Sequence, residues 1–275
     1  MHFKTVYVDV INTNPANLEN HASRDNFFMS LDNIQKVVGQ LRMNCDHISF
    51  SLFNDVNDHP QTQEIFDMCH QLGYRFSVTA LSNAFIQHLD AYTNNNAISS
   101  VSIPLIHFQE NGSLNDETMR LDLFYAINQL KDSKINTTID LFSKDINDYD
   151  EHTLTFLSLY NIHLNDSLWQ KGFQMEIETN FFIRCCELKD DTENLPPKTL
   201  GRCYGSVTML GIMGNGDVIP CNHIKGQRVI LGNMLSKPLS DILNSEPYLS
   251  IHDGFYKNQL THPICQRCPH PRKVF

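Results

Sequence analysis

The feature that most constrains the fold is an alternation: over roughly the first 180 residues, short strand-like runs give way repeatedly to helix-like segments. Residues 3–11 hold Val6, Tyr7, Val8, Val10 and Ile11, a buried-strand run. Ser30 is placed to cap a helix in which Leu31, Ile34, Val37, Val38 and Leu41 recur at helical spacing. Residues 47–53 read as a second strand, with Ile48, Phe50 and Leu52 on one face. Residues 61–72 read as a helix, with Ile65, Phe66 and Cys69 inward. A third strand over 74–79, a short helix over 83–89 and a fourth strand over 97–105 follow. The strongest helix spans 116–130, with Met119, Leu123, Ala126, Ile127 and Leu130 on one stripe. Residues 135–141 form a fifth strand, 151–160 a helix and 173–183 a sixth strand. Such alternation demands right-handed crossovers and a parallel sheet or barrel. Six βα steps are too few for a closed eight-stranded barrel, so the prediction is an α/β fold built on an open, partial (β/α)6 barrel.

Composition narrows the functional classes. The 275 residues suffice for one large domain, or one domain with a small companion, and for a core that needs no disulfide staples. No run approaches the ~20 apolar residues of a membrane span. Met1-His2-Phe3-Lys4 lacks the apolar segment of a secretory signal, and a cytoplasmic location is expected. The 21 Lys and Arg against 31 Asp and Glu give a net charge of −10, so the basic footprint of a nucleic-acid binder is absent. No phosphate-binding glycine loop, nucleophile elbow or His-Glu-x-x-His helix occurs.

The alternation stops at residues 189–198, a polar stretch carrying Pro196-Pro197 that reads as a linker. Beyond it, Gly214-Asn215-Gly216 separates two apolar runs, 207–213 and 217–219, a strong hairpin signal. A short helix is expected over Leu239–Leu243. Four of the eight cysteines lie in this module, as Cys203, Cys221, Cys265 and Cys268, spaced C-x17-C-x43-C-x2-C. Two thiolates two residues apart chelate one centre from a single turn, and two more from the base of a hairpin complete a tetrahedral sulfur set. That set suits zinc or an iron–sulfur cluster, and spacing alone does not choose between them. His223 and His270 flank these cysteines. Cys45 and Cys69 read as core thiols, and adjacent Cys185 and Cys186 as one core thiol and one half-exposed.

The segment from Arg202 to His270 resembles the SPASM or twitch domain attached to radical S-adenosylmethionine (radical SAM) enzymes. The resemblance rests on Cys203, on Gly216-Asp217-Val218-Ile219-Pro220-Cys221, on Gly232-Asn233 and on Cys265-Gln266-Arg267-Cys268-Pro269. It implies one auxiliary 4Fe–4S cluster held by Cys203, Cys221, Cys265 and Cys268, and it favours iron–sulfur over zinc. It also implies a radical SAM-type partial barrel over residues 1–188, a linker over 189–201 and the cluster-binding domain over 202–275.

The barrel departs from the family pattern at two places. The family carries C-x3-C-x2-C after the first strand, the three thiolates holding the SAM-cleaving cluster. Here the loop 14–25 places Ala16, Asn20 and Ser23 at those positions, with His21 as its one metal-ligand residue type besides carboxylates. The family also carries Gly-Gly-Glu-Pro after the second strand, against the amino group of SAM. Here Leu52-Phe53-Asn54-Asp55 follows Ser51, with His59-Pro60 beyond. Bulky side chains replace the glycines that give a ligand room, and a neutral amide replaces the carboxylate an ammonium requires. SAM binding is therefore not expected, and Leu52 and Phe53 are expected to fill the former pocket. The resemblance implies a non-catalytic accessory or peptide-binding subunit, paired with a catalytic radical SAM protein or a ribosomal precursor peptide, with a heterodimer as the assembly. Two alternatives stand beside it. One is an enzyme using the remaining cluster, with strand-end groups His47, Asp55, His59 or His107 as acid, base or ligand, although each reads first as a solvated loop residue. The other is a zinc-held structural protein.

Overall fold

The computed structural model describes residues 1–12, 27–143, 149–162, 164, 174–187, 196–222 and 229–268. They form two compact units, Met1–Tyr74 with Asp191–Phe275, and Arg75–Asp190.

In the first unit, strand β1 (Thr5–Val8) is flanked on both sides. The predicted strand over 3–11 breaks at Asp9, and β2 (Ile11–Asn12) turns away to pair antiparallel with β3 (Phe27–Phe28). Helix α1 (Leu31–Leu41) starts at Ser30, whose Oγ accepts from the Asn33 amide at 3.4 Å, and it buries Ile34, Val37, Val38 and Leu41. Strand β4 (Ile48–Phe50) pairs parallel with β1, Val6 opposite Ile48. A 3-10 turn (Val56–Asp58) leads into α2 (Thr62–Gln71), which buries Ile65, Phe66 and Cys69 as expected.

The second unit has four parallel strands, β5 (Phe76–Thr79), β6 (Ile98–Pro104), β7 (Asn136–Ser143) and β9 (Phe181–Glu187). Its edge strand, β8 (Gln174–Glu178), runs antiparallel to β9. The single sixth strand predicted over 173–183 is thus a hairpin. Asn180, at φ +62°, makes the turn, a left-handed conformation that asparagine tolerates better than most residues. The connections are α3 (Ala84–Gln87), α4 (Leu89–Thr93), α5 (Leu105–Glu110), α6 (Glu117–Asp132) and α7 (Glu151–Ser158). The carboxylate of Asp116 caps α6 by accepting from the Met119 amide at 2.9 Å. Met119 therefore lies in the first turn, 47% exposed, and the buried stripe begins at Leu123.

The chain then returns to the first unit. Strand β10 (Met209–Ile212) pairs parallel with β1, from Thr5 opposite Met209 to Val8 opposite Ile212. Antiparallel β11 (Asp217–Ile219) and β12 (Gly232–Asn233) follow. The hairpin read as a separate module is thus continuous with the N-terminal sheet. Helices α8 (Leu239–Leu243), α9 (Glu246–Tyr256) and α10 (Pro263–Arg267) complete the unit. Among the described residues, no helix is long and apolar enough to cross a membrane.

Candidate metal centre

The hairpin turn is fixed by side-chain amides and a carboxylate. Asn215 donates through Nδ2 to Asp217 Oδ2 at 2.7 Å and accepts from the Asp217 amide at 3.1 Å. Asn233 donates to Asp217 Oδ1 and to the Asn215 carbonyl, both at 2.9 Å. Gly216 sits at φ +85°, and a Cβ there would meet Leu235 Cγ at 2.6 Å. The Gly-Asp and Gly-Asn pairs of the sequence therefore have a mechanical reason: they lock the turn that aims Cys221.

Cys221 is buried just beyond β11, and Cys203 is half-buried ahead of β10. Gly205 lies between them. Its amide donates to Cys203 Sγ at 3.4 Å, and a Cβ on it would lie 3.2 Å from Cys221 Cβ. The Ser206 amide donates to the Pro220 carbonyl at 2.7 Å, joining the two segments. An N–H aimed at sulfur favours thiolate over thiol.

Helix α10 presents the other pair. His262 caps it, its ring nitrogen accepting from the Ile264 amide at 3.3 Å, and Pro263 occupies the first turn. Burial lowers the pKa of that imidazole, which keeps the ring neutral and able to accept. Cys265 is buried and Cys268 ends the helix half-buried. The segment ahead of Cys203 runs along this region: the Lys198 amide donates to the Gln266 carbonyl at 2.9 Å, Leu260 to Thr199 at 2.8 Å and Gly201 to Asn258 at 3.1 Å.

Three observations bear on whether a cluster fits here. The four donors are thiols, the ligand type an iron–sulfur centre takes. Ser206 Oγ, Asn222 Oδ1 and Asn258 Oδ1 are buried without a hydrogen-bond partner, and each belongs to a segment that carries or adjoins a predicted ligand. Against these, no three His, Cys, Asp or Glu side chains among the described residues are gathered as a metal-holding group. Gly205 lies against both Cys203 and Cys221, and Cys265 and Cys268 share one knuckle. The donor set fits in kind.

The exit of β4 is tied to the end of β1. Asp9, buried at the end of β1, accepts from the Asn54 amide at 3.0 Å, from Asn54 Nδ2 at 2.9 Å and from the Phe53 amide at 3.4 Å. Asn54 Nδ2 also donates to the Ile11 carbonyl at 2.9 Å. Leu52 is buried with Met213 and Ile219, and Tyr7 and Phe53 pack on that cluster. Leu52 thus enters the core with Phe53 packed against it, and the Asn54 amide turns onto Asp9 and the backbone.

The other candidates fall into place individually. Asp55 is buried and caps the 3-10 turn, accepting from the Asn57 amide at 2.9 Å. His59, read as solvated, is 2% exposed; one ring nitrogen lies 3.0 Å from the Met29 carbonyl and the other accepts from the Gln61 amide at 3.1 Å. His47 is half-buried. His107 is half-exposed and lies 3.7 Å from Glu110. Cys45 and Cys69 are core thiols, pushed up by burial to about 11 and about 12. Cys185 is buried and Cys186 half-exposed. The loop 14–25 with Ala16, Asn20, His21 and Ser23 lies outside the described residues, as do His223 and His270.

Residues 203–269 match the SPASM family, an iron–sulfur cluster-binding domain. A search of curated protein sequences finds no match to the chain. Among solved structures, BtrN in complex with AdoMet and 2-DOIA is similar over 98% of this chain and 94% of its own, at 13% identity and a TM-score of 0.51. Native anSMEcpe with bound AdoMet and Kp18Cys peptide is similar over 91% of this chain and 82% of its own, at 8% identity and a TM-score of 0.53. At such identities the likeness is one of fold. The C-terminal segment is a SPASM-type domain, and the chain that carries it has the mixed α/β fold of radical SAM enzymes of the SPASM type.

Proposed function

We propose that this chain is a cytoplasmic iron–sulfur protein that holds one 4Fe–4S cluster through Cys203, Cys221, Cys265 and Cys268, lacks a SAM-cleaving cluster, and serves as a non-catalytic accessory or peptide-binding subunit of a radical SAM peptide maturase. The observation that carries the reading is the pairing of two changes. The loop after β1 has no cysteine between Pro15 and Asp25, and the exit of β4 spends Leu52 on the core and Asn54 on Asp9 and Ile11. Reductive cleavage of SAM needs an iron held by thiolates with an open coordination position. The cluster at the four rear cysteines supplies a structural clip or an electron relay. A peptide is the partner class because anSMEcpe, whose fold is similar, is solved with the Kp18Cys peptide.

Anaerobic purification with iron and sulfide quantification is the test. One cluster's worth of iron and sulfide per chain is expected, lost in a Cys265→Ser/Cys268→Ser variant, together with no AdoMet cleavage by the isolated chain under reduction. A catalytic radical SAM protein is expected to co-purify from the native host. Zinc in place of iron, two clusters per chain, AdoMet turnover, or a catalytic relative that works at full rate without this chain would each overturn it.

A further inference from the structure

Ser206 stands where serine is a poor structural choice on two counts. Its backbone lies in the left-handed region, at φ +58°. Glycine adopts that conformation freely, and asparagine and aspartate visit it more often than other side chains do. The Ser206 side chain is also fully buried, and its Oγ has no hydrogen-bond partner. A buried hydroxyl left unpaired loses its hydration and gains no bond in exchange. Glycine at this position would remove both penalties. Backbone strain and unpaired buried polar groups gather where a protein has a use for them.

The backbone of Ser206 is fully engaged. Its N–H donates to the Pro220 carbonyl at 2.7 Å and reaches the Met209 carbonyl at 3.0 Å. Its carbonyl accepts from the buried Tyr248 hydroxyl at 2.7 Å. These bonds hold the residue beside Pro220, which precedes Cys221. On its other side is Gly205, whose amide donates to Cys203 Sγ at 3.4 Å. The hydroxyl is therefore fixed between two of the predicted ligands, and no described group bonds it. Two other oxygens near the predicted ligands, Asn222 Oδ1 and Asn258 Oδ1, are buried and unpartnered as well. Amide oxygens only accept, as thiolate and sulfide do. Of the three, the Ser206 hydroxyl alone has a proton to give to sulfur.

We propose that the Ser206 hydroxyl donates a hydrogen bond to a sulfur of the 4Fe–4S cluster and raises its reduction potential, an inference that rests on the cluster reading of the four rear cysteines. Hydrogen bonds to the sulfurs are among the levers that set such potentials. One-electron reduction adds a negative charge to the cluster, and a hydrogen-bond donor to an anionic acceptor strengthens as that charge grows. The hydroxyl thus favours the reduced form, and its removal lowers the potential. Ser206 is a tuning residue and not a ligand, since four thiolates complete the coordination without it.

The full chain is purified anaerobically with its cluster, and the one-electron midpoint potential is read by mediated titration with dithionite, following the EPR signal of the reduced form. Ser206→Gly relieves the backbone and removes the hydroxyl, whereas Ser206→Ala keeps the Cβ and removes only the oxygen. In both iron-replete variants the reduction equilibrium constant is expected to fall roughly three- to tenfold, which is about 30–60 mV at ~59 mV per decade for one electron. Each is also expected to lose one exchangeable-deuteron coupling from the pulsed EPR spectrum in D2O. Either variant suffices should the other fail to hold its cluster. Potentials equal to or above the parent's, an unchanged deuteron coupling, or loss of the cluster from both variants would each overturn this inference and leave the cluster reading standing. A parent chain without iron and sulfide would overturn both.

Discussion

At the hairpin, Asn215, Asp217 and Asn233 bond one another and the turn backbone, and the result is a fixed path into Cys221. At the exit of β1, Asp9 and Asn54 bond one another and the backbone of Phe53 and Ile11, and the result is a closed junction. The two sites use the same groups, a carboxylate beside a primary amide. They differ in where the neighbouring side chains go. Around the hairpin, Gly205 and Gly216 let Cys221 and Leu235 pack directly against the backbone. Around β4, Leu52 is buried with Met213 and Ile219, and Phe53 packs against them. One polar network fixes a hairpin turn, and the other closes a strand junction. Chemistry at a site is decided as much by the side-chain volume beside the polar groups as by the polar groups themselves.

The two regions touch at Gly214, and breaking that contact gives the largest expected effect. A Cβ on Gly214 would lie 2.3 Å from the Ile11 carbonyl carbon and 2.6 Å from the Asn12 nitrogen, backbone atoms that have nowhere to move. Gly214→Val is expected to cost more than about 4 kcal/mol, measured by denaturant unfolding, and to prevent accumulation of folded protein. A folded variant of near-native stability would mean that the hairpin and the β1 exit are not packed backbone to backbone.

Next in size is Leu52. Its side chain fills the space between Met213 and Ile219, and its Cδ1 lies 3.2 Å from where a Gly211 Cβ would stand. Leu52→Ala is expected to cost about 2–4 kcal/mol by the same measurement, as large-to-small changes do in a packed core. A cost below about 0.5 kcal/mol, the scale of an ordinary surface change, would mean that Leu52 is an exposed loop residue and that the junction is not filled.

The sequence exposed the alternation, the hairpin and the four rear cysteines because each is a local signal: period, turn residues and spacing. It also exposed the core thiols, since an isolated cysteine in an apolar stripe has little else to do. The β8–β9 hairpin was hidden because Thr179-Asn180 is a weaker turn signal than Asn-Gly, and Phe181 continues the apolar run. Helix α9 escaped because Gly254 and Pro247 mask its period, although Pro247 sits in the first turn, where proline is tolerated. His59 looked solvated because its burial comes from Phe28 and Met29, thirty residues away in the chain. Asp140 and Arg184 are 44 residues apart, and no local pattern announces their pairing.

Asn54→Asp sharpens the contrast by charge at almost constant shape. The new carboxylate faces Asp9 where an amide donated to both Asp9 and Ile11. Two lost donor bonds and a like-charge contact are expected to cost about 1–3 kcal/mol at pH 7. Like charges raise the folded pKa of a carboxyl above its unfolded value, so the repulsive part is absent in acid and grows as the pH rises through the carboxyl range. Unfolding measured at pH 4 and pH 7 is expected to show the larger deficit at pH 7. An equal deficit at both would assign the whole effect to lost hydrogen bonds.

The smallest effect tests how the β4 exit is tied to the chain ahead of α1. Because the Gln61 amide is a donor, the His59 nitrogen facing it must accept, and the other carries the proton given to the Met29 carbonyl. A second proton has no place in this arrangement, and burial lowers the pKa from its ordinary 6.5. The unfolded chain therefore binds the proton first as the pH falls. The stabilisation is whole above pH 6.5 and is lost below it, as the pH descends toward the folded value. One group bounds the slope at about 1.4 kcal/mol per pH unit. His59→Gln removes the titration, so its stability curve between pH 5 and 7 is expected to be flatter than the parent's by up to one proton. Parallel curves would mean that His59 is not held neutral between Met29 and Gln61.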